Sequence, residues 1–271
     1  MLCIFFAVSG LLLGSFLNVC ILRLPAGESI VAPRSYCRHC RQPIANRDNI
    51  PVISWLLLGA ACRNCGSRIS WRYPLIELTT CALFVICCLS FPPAVAAGWA
   101  VLCFLFLGLA VMDAETLLLP DLFTLPGLAA GIVFATLRPS LETGNWNHGL
   151  ILLGLGWSLF SATVAAAALL SIAGIYWLVR RRTGMGMGDV KLAAMLGAWL
   201  GPPRAALTLF LAVILGALYG LGMILFRNKN KQDTQPAGQL AVPFGTMLCV
   251  AGLYCIFLGQ RTLGWYLQFF H

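Results

Sequence analysis

Long runs of apolar residues separated by short polar stretches make up most of the chain. A helix needs about 20 such residues to cross a bilayer core of about 30 Å, and most of the runs approach that length. We place the predicted spans at 2–22, 74–92, 94–112, 122–137, 149–179, 191–201, 204–226 and 240–260. The sixth run is short and rich in small residues, so it must either cross a thinned region or be shielded by neighbouring helices. The pattern predicts an all-α, polytopic membrane protein with about eight transmembrane helices.

Composition supports this class. The chain is 60% hydrophobic and only 10% charged, whereas soluble domains have roughly 45–50% apolar and about 25% charged residues. This excludes an ordinary soluble protein.

Basic residues are concentrated in three polar loops. Loop 23–73 carries eight, loop 180–191 four and loop 227–239 three, which is 15 of the 18 in the chain. Cytoplasmic loops retain Lys and Arg, and these loops share one side if the amino terminus lies outside. We therefore interpret the net charge of +9 as topology and contact with anionic lipid, and we expect no nucleic-acid partner. The first run has Arg23 after it and no basic residue before it, so we expect a retained helix rather than a cleaved signal.

Loop 23–73 also contains two C-x2-C pairs, "CRHC" and "CRNC", separated by 21 residues. This spacing is typical of a zinc ribbon or knuckle. The predicted ligands are Cys37, Cys40, Cys62 and Cys65. Two disulfides or free thiols are the alternatives, but a cytosolic location disfavours stable disulfides, so a structural metal is favoured. His39 lies between the first two cysteines and is an alternative ligand, but we favour a surface histidine. We expect the eight other cysteines, which lie in apolar runs, to act as small hydrophobic residues.

Acidic residues are few, and two of them fall at the same predicted membrane edge. Asp113 ends the third predicted span and Asp189 begins the sixth, 76 residues later. An ionisable residue at membrane depth is costly and usually functional. Asp121 follows Pro120 and could be a helix N-cap instead. Glu77 is expected to pair with Arg72 or with a backbone group.

The segment "GMGMGD" at 184–189 has three interpretations. A phosphate-binding loop would need a preceding strand within a βαβ unit, and the flanking sequence offers none. A loose connection explains the glycines but not an aspartate at the membrane edge. A bend explains both, because glycines permit positive φ and close helix approach. We favour the bend, which would present Asp189 toward Asp113.

Two converging carboxylates have a distinctive chemistry. Like charges a few ångströms apart cannot both ionise, so the pair shares a proton, and one group activates water while the other protonates the scissile carbonyl. This predicts an aspartic protease. The three histidines, His39, His148 and His271, lie outside the spans and no H-E-x-x-H occurs, which disfavours serine–histidine and zinc proteases.

Two functions from other classes remain as alternatives. A proton- or ion-coupled transporter also uses intramembrane acids and broken helices, but it predicts acids nearer mid-bilayer and internal symmetry. A membrane scaffold that docks through the cysteine loop would leave Asp113 and Asp189 unexplained.

Motifs along nearly the whole chain add a resemblance to a known family. The chain resembles the bacterial type IV prepilin peptidases, which are bifunctional leader peptidases and N-methyltransferases of type IV pilus and type II secretion systems. The motifs are "GSFLNVCILRLP" at 14–25, the two C-x2-C pairs, "NIPVISWL" at 49–56, "RYPLIEL" at 72–78, "DAETLLLPD" at 113–121, "GMGMGD" with the following "VKLAAMLGAWLG", and "VPFG" at 242–245.

The resemblance implies specific roles. Asp113, first in D-x6-P-D, and Asp189, last in G-x-G-D, match the catalytic pair. The implied reaction removes a short basic leader from prepilins or pseudopilins before a phenylalanine, at the cytoplasmic face of the bacterial inner membrane. The new amino terminus is then methylated from S-adenosylmethionine, although no sequence feature locates the donor site.

The motifs and spans together predict three domains. We expect a first transmembrane helix at 1–22, a cytoplasmic cysteine-rich loop at 23–73 and a transmembrane aspartic peptidase domain at 74–268.

Overall fold

The computed structural model describes residues 1–181, 186–225 and 242–268. Within these ranges the chain is helical and forms no strand, only two isolated β-bridges in the cysteine loop. The helices are α1 (Leu2–Arg23), α2 (Ile53–Leu57), α3 (Arg72–Ser90), α4 (Pro93–Thr116), α5 (Asp121–Thr143), α6 (His148–Arg180), α7 (Met187–Leu200), α8 (Pro202–Leu225), α9 (Phe244–Phe257) and α10 (Gly259–Gln268). The predicted all-α class is confirmed.

Six of these helices, α1, α3, α4, α5, α6 and α8, are long and apolar enough to cross a membrane. The predicted last span, 240–260, is instead a broken pair, because α9 and α10 meet at a bend of 74°. Counted as one span, the pair brings the number to seven in the described part of the chain. The protein is therefore a multi-pass membrane protein.

The predicted sixth span is α7, which is too short to cross alone. Its 14 residues extend about 21 Å at 1.5 Å per residue, against about 30 Å of hydrocarbon. Neighbouring helices shield it. A Cβ on Gly197 would lie 2.4 Å from the carbonyl oxygen of Ser161 in α6, and a Cβ on Gly131 in α5 would lie 2.4 Å from the Trp199 ring. Of the two alternatives for this segment, shielding by protein is confirmed.

The chain divides into two compact units, Met1–Gly108 and Leu109–His271, with the boundary inside α4. In the first unit α1 lies directly against α3. A Cβ on Gly10 would be 2.7 Å from the Cα of Cys81, and a Cβ on Gly14 would be 2.8 Å from the Cα of Glu77. Only glycine allows this approach of the two backbones. The second unit contains Asp113, all of α5 to α8, and the bent pair.

Candidate active site and cysteine cluster

Asp113 is held in the last turn of α4 and is only 4% exposed. The helix ends after Thr116, where Leu117 adopts a left-handed conformation (φ 55°) and its N–H donates to the carbonyl of Asp113. Carboxylate oxygen Oδ2 accepts the backbone N–H of Thr246 at 2.6 Å. The Thr246 hydroxyl lies 3.0 Å from the same oxygen and 2.9 Å from the carbonyl of Ala110. The Asp113 side chain is therefore fixed by the start of α9.

Asp189 is the third residue of α7 and is partly exposed. Its N–H donates to the carbonyl of Gly186, the residue that precedes the helix, at 3.2 Å. The first turn of a helix carries a partial positive charge, which stabilises a carboxylate there. Asp189 is thus presented by a helix end, whereas Asp113 is presented by the opposite end of another helix.

Leu119 lies beside two glycines, one that precedes Asp189 and one that contacts Asp113. A Cβ added to Gly188 would lie 3.0 Å from the Cβ of Leu119, and a Cβ added to Gly245 would lie 2.9 Å from its Cδ1 and 3.0 Å from the Cγ of Asp113. The structure therefore places both predicted residues in one site.

The glycines before Asp189 act differently from the bend that we expected. Gly184 lies outside the described residues. Gly186 has φ −76°, and Gly188 already belongs to α7, so neither uses the positive φ that only glycine adopts freely. The expected close approach is present at Gly188, which touches Leu119. Lack of a side chain, rather than a special φ, explains this glycine.

Asp121 lies outside the carboxylate pair. Pro120 occupies the N-cap position of α5 and Asp121 is the first helical residue, so the N-cap alternative is wrong. Its carboxylate instead binds the ammonium of Lys191 at 2.6 Å. This exposed ion pair joins the start of α5 to α7, two residues beyond Asp189.

Sequence reasoning missed three residues at this site. Gly245 and Thr246 touch Asp113, and Cys249 is fully buried in α9 three residues after Thr246. The only available signal was the "VPFG" motif, which ends at Gly245. Thr246 and Cys249 sit in an apolar run where such residues are unremarkable.

The four predicted ligand cysteines form one cluster, with their sulfur atoms all within 4.8 Å of one another. Each C-x2-C pair forms the same turn. The N–H of Cys37 donates to the carbonyl of Gln42, and the N–H of Cys62 donates in the same way to Ser67. Beyond each turn an isolated bridge joins the flanking residues. Two matching knuckles therefore face each other.

The cluster fits a tetrahedral zinc ion. Zn–S bonds of about 2.3 Å place tetrahedral ligand sulfurs about 3.8 Å apart, and the sulfurs of Cys37 and Cys65 are 3.8 Å apart. A side-chain hydrogen bond with Ser67 lowers the pKa of Cys65 to about 6, and a backbone hydrogen bond with Cys40 lowers the pKa of Cys37. Against a backbone hydrogen bond with Gln42, desolvation and the neighbouring thiols raise the pKa of Cys40 to about 11, so two of the four cysteines favour the thiolate without a metal. Thiolates are the form that binds metal. The cluster is compatible with zinc.

The first unit also contains a cavity of about 730 Å³ beside the cysteine cluster. Its lining includes Tyr36, Trp55 and the buried carboxylate of Glu77. Glu77 accepts the N–H of Val52 at 2.7 Å, which confirms the expected pairing with a backbone group. Ligand pockets typically measure about 300–1,000 Å³, so this cavity is large enough for a small-molecule substrate.

Known proteins match the chain in both units. The Bacterial Peptidase A24 N-terminal domain matches residues 8–91, and the Type IV leader peptidase family matches residues 99–221. A prepilin leader peptidase/N-methyltransferase of Aeromonas salmonicida is 35% identical over 95% of this chain and 91% of its own. The chain belongs to the type IV leader peptidase family.

Relatives in other bacteria carry the same name. The prepilin leader peptidase/N-methyltransferase of Pseudomonas aeruginosa is 34% identical over 96% of this chain and 91% of its own length. That of Klebsiella pneumoniae is 42% identical over 77% of this chain and 89% of its own. No solved structure matches the chain. The predicted family resemblance is confirmed.

Proposed function

We propose that this chain is a membrane aspartic endopeptidase that removes the leader of type IV prepilins or pseudopilins and then N-methylates the new amino-terminal residue. The observation that carries the proposal is that Leu119 lies against both Gly188, which precedes Asp189, and Gly245, which contacts Asp113, so that opposite ends of two helices converge there. Family membership supplies the type of substrate. A transporter has no comparable support, because the similar proteins are named as peptidases.

The proposed cleavage mechanism uses one proton that Asp113 and Asp189 share. The unprotonated aspartate takes a proton from water, which attacks the scissile carbonyl, while the protonated aspartate gives its proton to the carbonyl oxygen. The tetrahedral intermediate then breaks its C–N bond, and the amine leaves with a proton from the pair. Thr246 holds Oδ2 of Asp113, which leaves Oδ1 for proton exchange.

The proposed orientation places this site at the cytoplasmic face of the bacterial inner membrane. Loop 23–73 and loop 180–191 carry most of the basic residues among the described ranges, and such loops remain in the cytoplasm. A prepilin reaches this face with a short basic leader outside the bilayer and its apolar helix inside it. Cleavage between the two parts then requires carboxylates at the membrane edge.

Methyl transfer needs a donor site, and we assign S-adenosylmethionine to the cavity of the first unit. Trp55 and Tyr36 line this cavity and would offer aromatic faces to an adenine ring, and the carboxylate of Glu77 would offer a negative charge to the sulfonium of the bound donor. Cys37 and Cys62 line the same cavity. A zinc ion held by the four cysteines would fix that wall and so support methyl transfer indirectly.

The experiment that tests this function uses the purified protein in detergent with a pilin-like precursor. We expect mass spectrometry to show a product shortened by its leader, and S-adenosylmethionine to add one methyl group to that product. An intact precursor after prolonged incubation with several pilin-like sequences would contradict the peptidase assignment. A shortened but unmethylated product would contradict only the second activity.

A further inference from the structure

Cys3 and Cys88 bring two thiols together at one end of the first unit. Their sulfur atoms lie 3.2 Å apart. Cys3 is in the first turn of α1 and Cys88 in the last turn of α3. The sequence had suggested only small hydrophobic residues at both positions.

The thiol contact belongs to the antiparallel register of these two helices. Gly10 faces Cys81 and Gly14 faces Glu77, and the side chain of Asn18 donates to the carbonyl of Tyr73. Each step of four residues forward in α1 is matched by four residues back in α3. Cys3 and Cys88 fit this register at the far end. Their proximity therefore follows from close backbone contacts along the helix pair and not from two side-chain rotamers alone.

The pair lies at the end of the two helices opposite loop 23–73. That loop joins the other ends and carries eight basic residues, which places it in the cytoplasm under the orientation that we propose for the enzyme. Cys3 and Cys88 then face the compartment outside the inner membrane, on the side opposite the cytoplasm. Disulfides form and persist in that oxidising compartment, whereas cytoplasmic thiols stay reduced.

We propose that Cys3 and Cys88 form a disulfide that joins α1 to α3 at the non-cytoplasmic surface of the inner membrane. The two thiols lose two protons and two electrons to the disulfide of a thiol oxidant in the outer compartment, which becomes a dithiol. The bond closes a long loop that contains the whole cysteine cluster. It therefore holds together the two helices from which that loop and its cavity extend.

A neighbouring pair offers a matched contrast. The sulfurs of Cys87 and Cys103 are 3.8 Å apart, yet both side chains are fully buried. Thiol–disulfide exchange requires access of the oxidant to sulfur. We expect this buried pair to remain reduced although Cys87 is adjacent to Cys88.

The test is differential alkylation of the full chain in membranes that are prepared without any reducing agent. Free thiols are blocked with one reagent under denaturing conditions, disulfides are reduced, and the released thiols are labelled with a heavier reagent before peptide mass spectrometry. We expect the heavy label on Cys3 and Cys88 and the first label on Cys87 and Cys103. Cys88→Ala should move Cys3 to the first label, whereas Cys87→Ala should leave the heavy label on Cys3 and Cys88.

The first label on Cys3 and Cys88 of the parent protein would overturn the proposal. A membrane-impermeant maleimide applied to intact spheroplasts then identifies what failed. Labelling of Cys3 from outside would mean that the orientation holds and that no disulfide forms. Labelling only after the membrane is opened would mean that the orientation itself is wrong. Leader cleavage is measured separately, so neither outcome is confused with failure of the peptidase assignment.

Discussion

Thr246 contacts Asp113 through both its backbone and its side chain. The N–H donates to Oδ2 at 2.6 Å and the hydroxyl lies 3.0 Å from the same oxygen. A carboxylate that takes part in proton transfer must keep one orientation through the reaction. We therefore assign Thr246 as a positioning residue for Asp113.

Removing the Thr246 hydroxyl tests this role. Thr246→Val keeps the shape and the backbone N–H but loses a hydrogen bond to a charged group, worth about 1.5–3 kcal/mol. We expect kcat for leader cleavage to fall roughly tenfold to a hundredfold, with KM nearly unchanged, and Thr246→Ser to restore it. Thr208→Val is the control, because this fully buried threonine donates to the carbonyl of Arg204 and contacts the thiol of Cys255 rather than an aspartate. Equal loss in both valine variants would show a merely structural role.

The sequence predicted the two aspartates because acids are rare in this chain. Nothing comparable marks Thr246 or Cys249, whose roles depend on where α9 begins in space. Glu77 was predicted only in part from the sequence. Its burial in an apolar run predicted a partner, but only the fold shows that the partner is the N–H of Val52.

At the scale of single elements, α7 depends on glycine for its place beside α5 and α6 and against Leu119. Gly188→Val would push a branched side chain into Leu119, whose Cβ lies 3.0 Å from an added Cβ. We expect leader cleavage to fall at least tenfold because Asp189 follows directly, while methylation of an already processed pilin changes little. Gly174→Val in α6 is the control, since nothing lies within 4 Å of its added Cβ. Similar loss of cleavage in both variants would contradict a local effect at Leu119.

The cysteine loop is an element whose stability we expect to depend on metal. Purified, reduced protein should contain about one equivalent of zinc, and Cys40→Ser with Cys65→Ser should lose it, because two ligands cannot complete a tetrahedral site. Elemental analysis measures this directly. Cys20→Ser, which changes a buried cysteine outside the cluster, should retain the zinc. A parent protein that methylates at full rate without metal would contradict a zinc-supported loop.

The lengths of the apolar runs predicted where helices occur but not which helices cross the membrane unbroken. Its apolar run suggested that α7 is a span. Its burial against α5 and α6 instead depends on contacts between residues far apart in sequence, Gly131 with Trp199 and Gly197 with Ser161. The break between α9 and α10 was also missed. Gln260 and Arg261 follow it, and a hydropathy pattern shows these polar residues only as the weak end of a span.

At the scale of the whole molecule, the carboxylate pair and the large cavity fall in different compact units. The predicted division into three domains, at 1–22, 23–73 and 74–268, remains a prediction. Methyl transfer needs a neutral amine held against a sulfonium, and two carboxylates that share a proton offer no evident advantage for it. We therefore expect the two reactions to be separable by mutation.

Two single variants test this separation. Asp189→Asn should lose cleavage yet still methylate a precut pilin with a free amino-terminal phenylalanine. Trp55→Ala should do the reverse, with methylation reduced at least tenfold and weaker S-adenosylmethionine binding by calorimetry. Trp71→Ala, an exposed tryptophan outside the cavity lining, is the control. Parallel loss of both reactions in both variants would mean that they share one site.

The most direct measurement of the central claim is leader cleavage by Asp113→Asn and Asp189→Asn. Each amide keeps the shape of the carboxyl group but cannot exchange the shared proton. We expect both variants to insert in the membrane at parental levels and to leave the precursor uncut, whereas Asp121→Asn, which loses only an exposed ion pair with Lys191, retains most activity. Appearance of the shortened pilin with either of the first two variants would contradict the assignment of Asp113 and Asp189 as the catalytic pair.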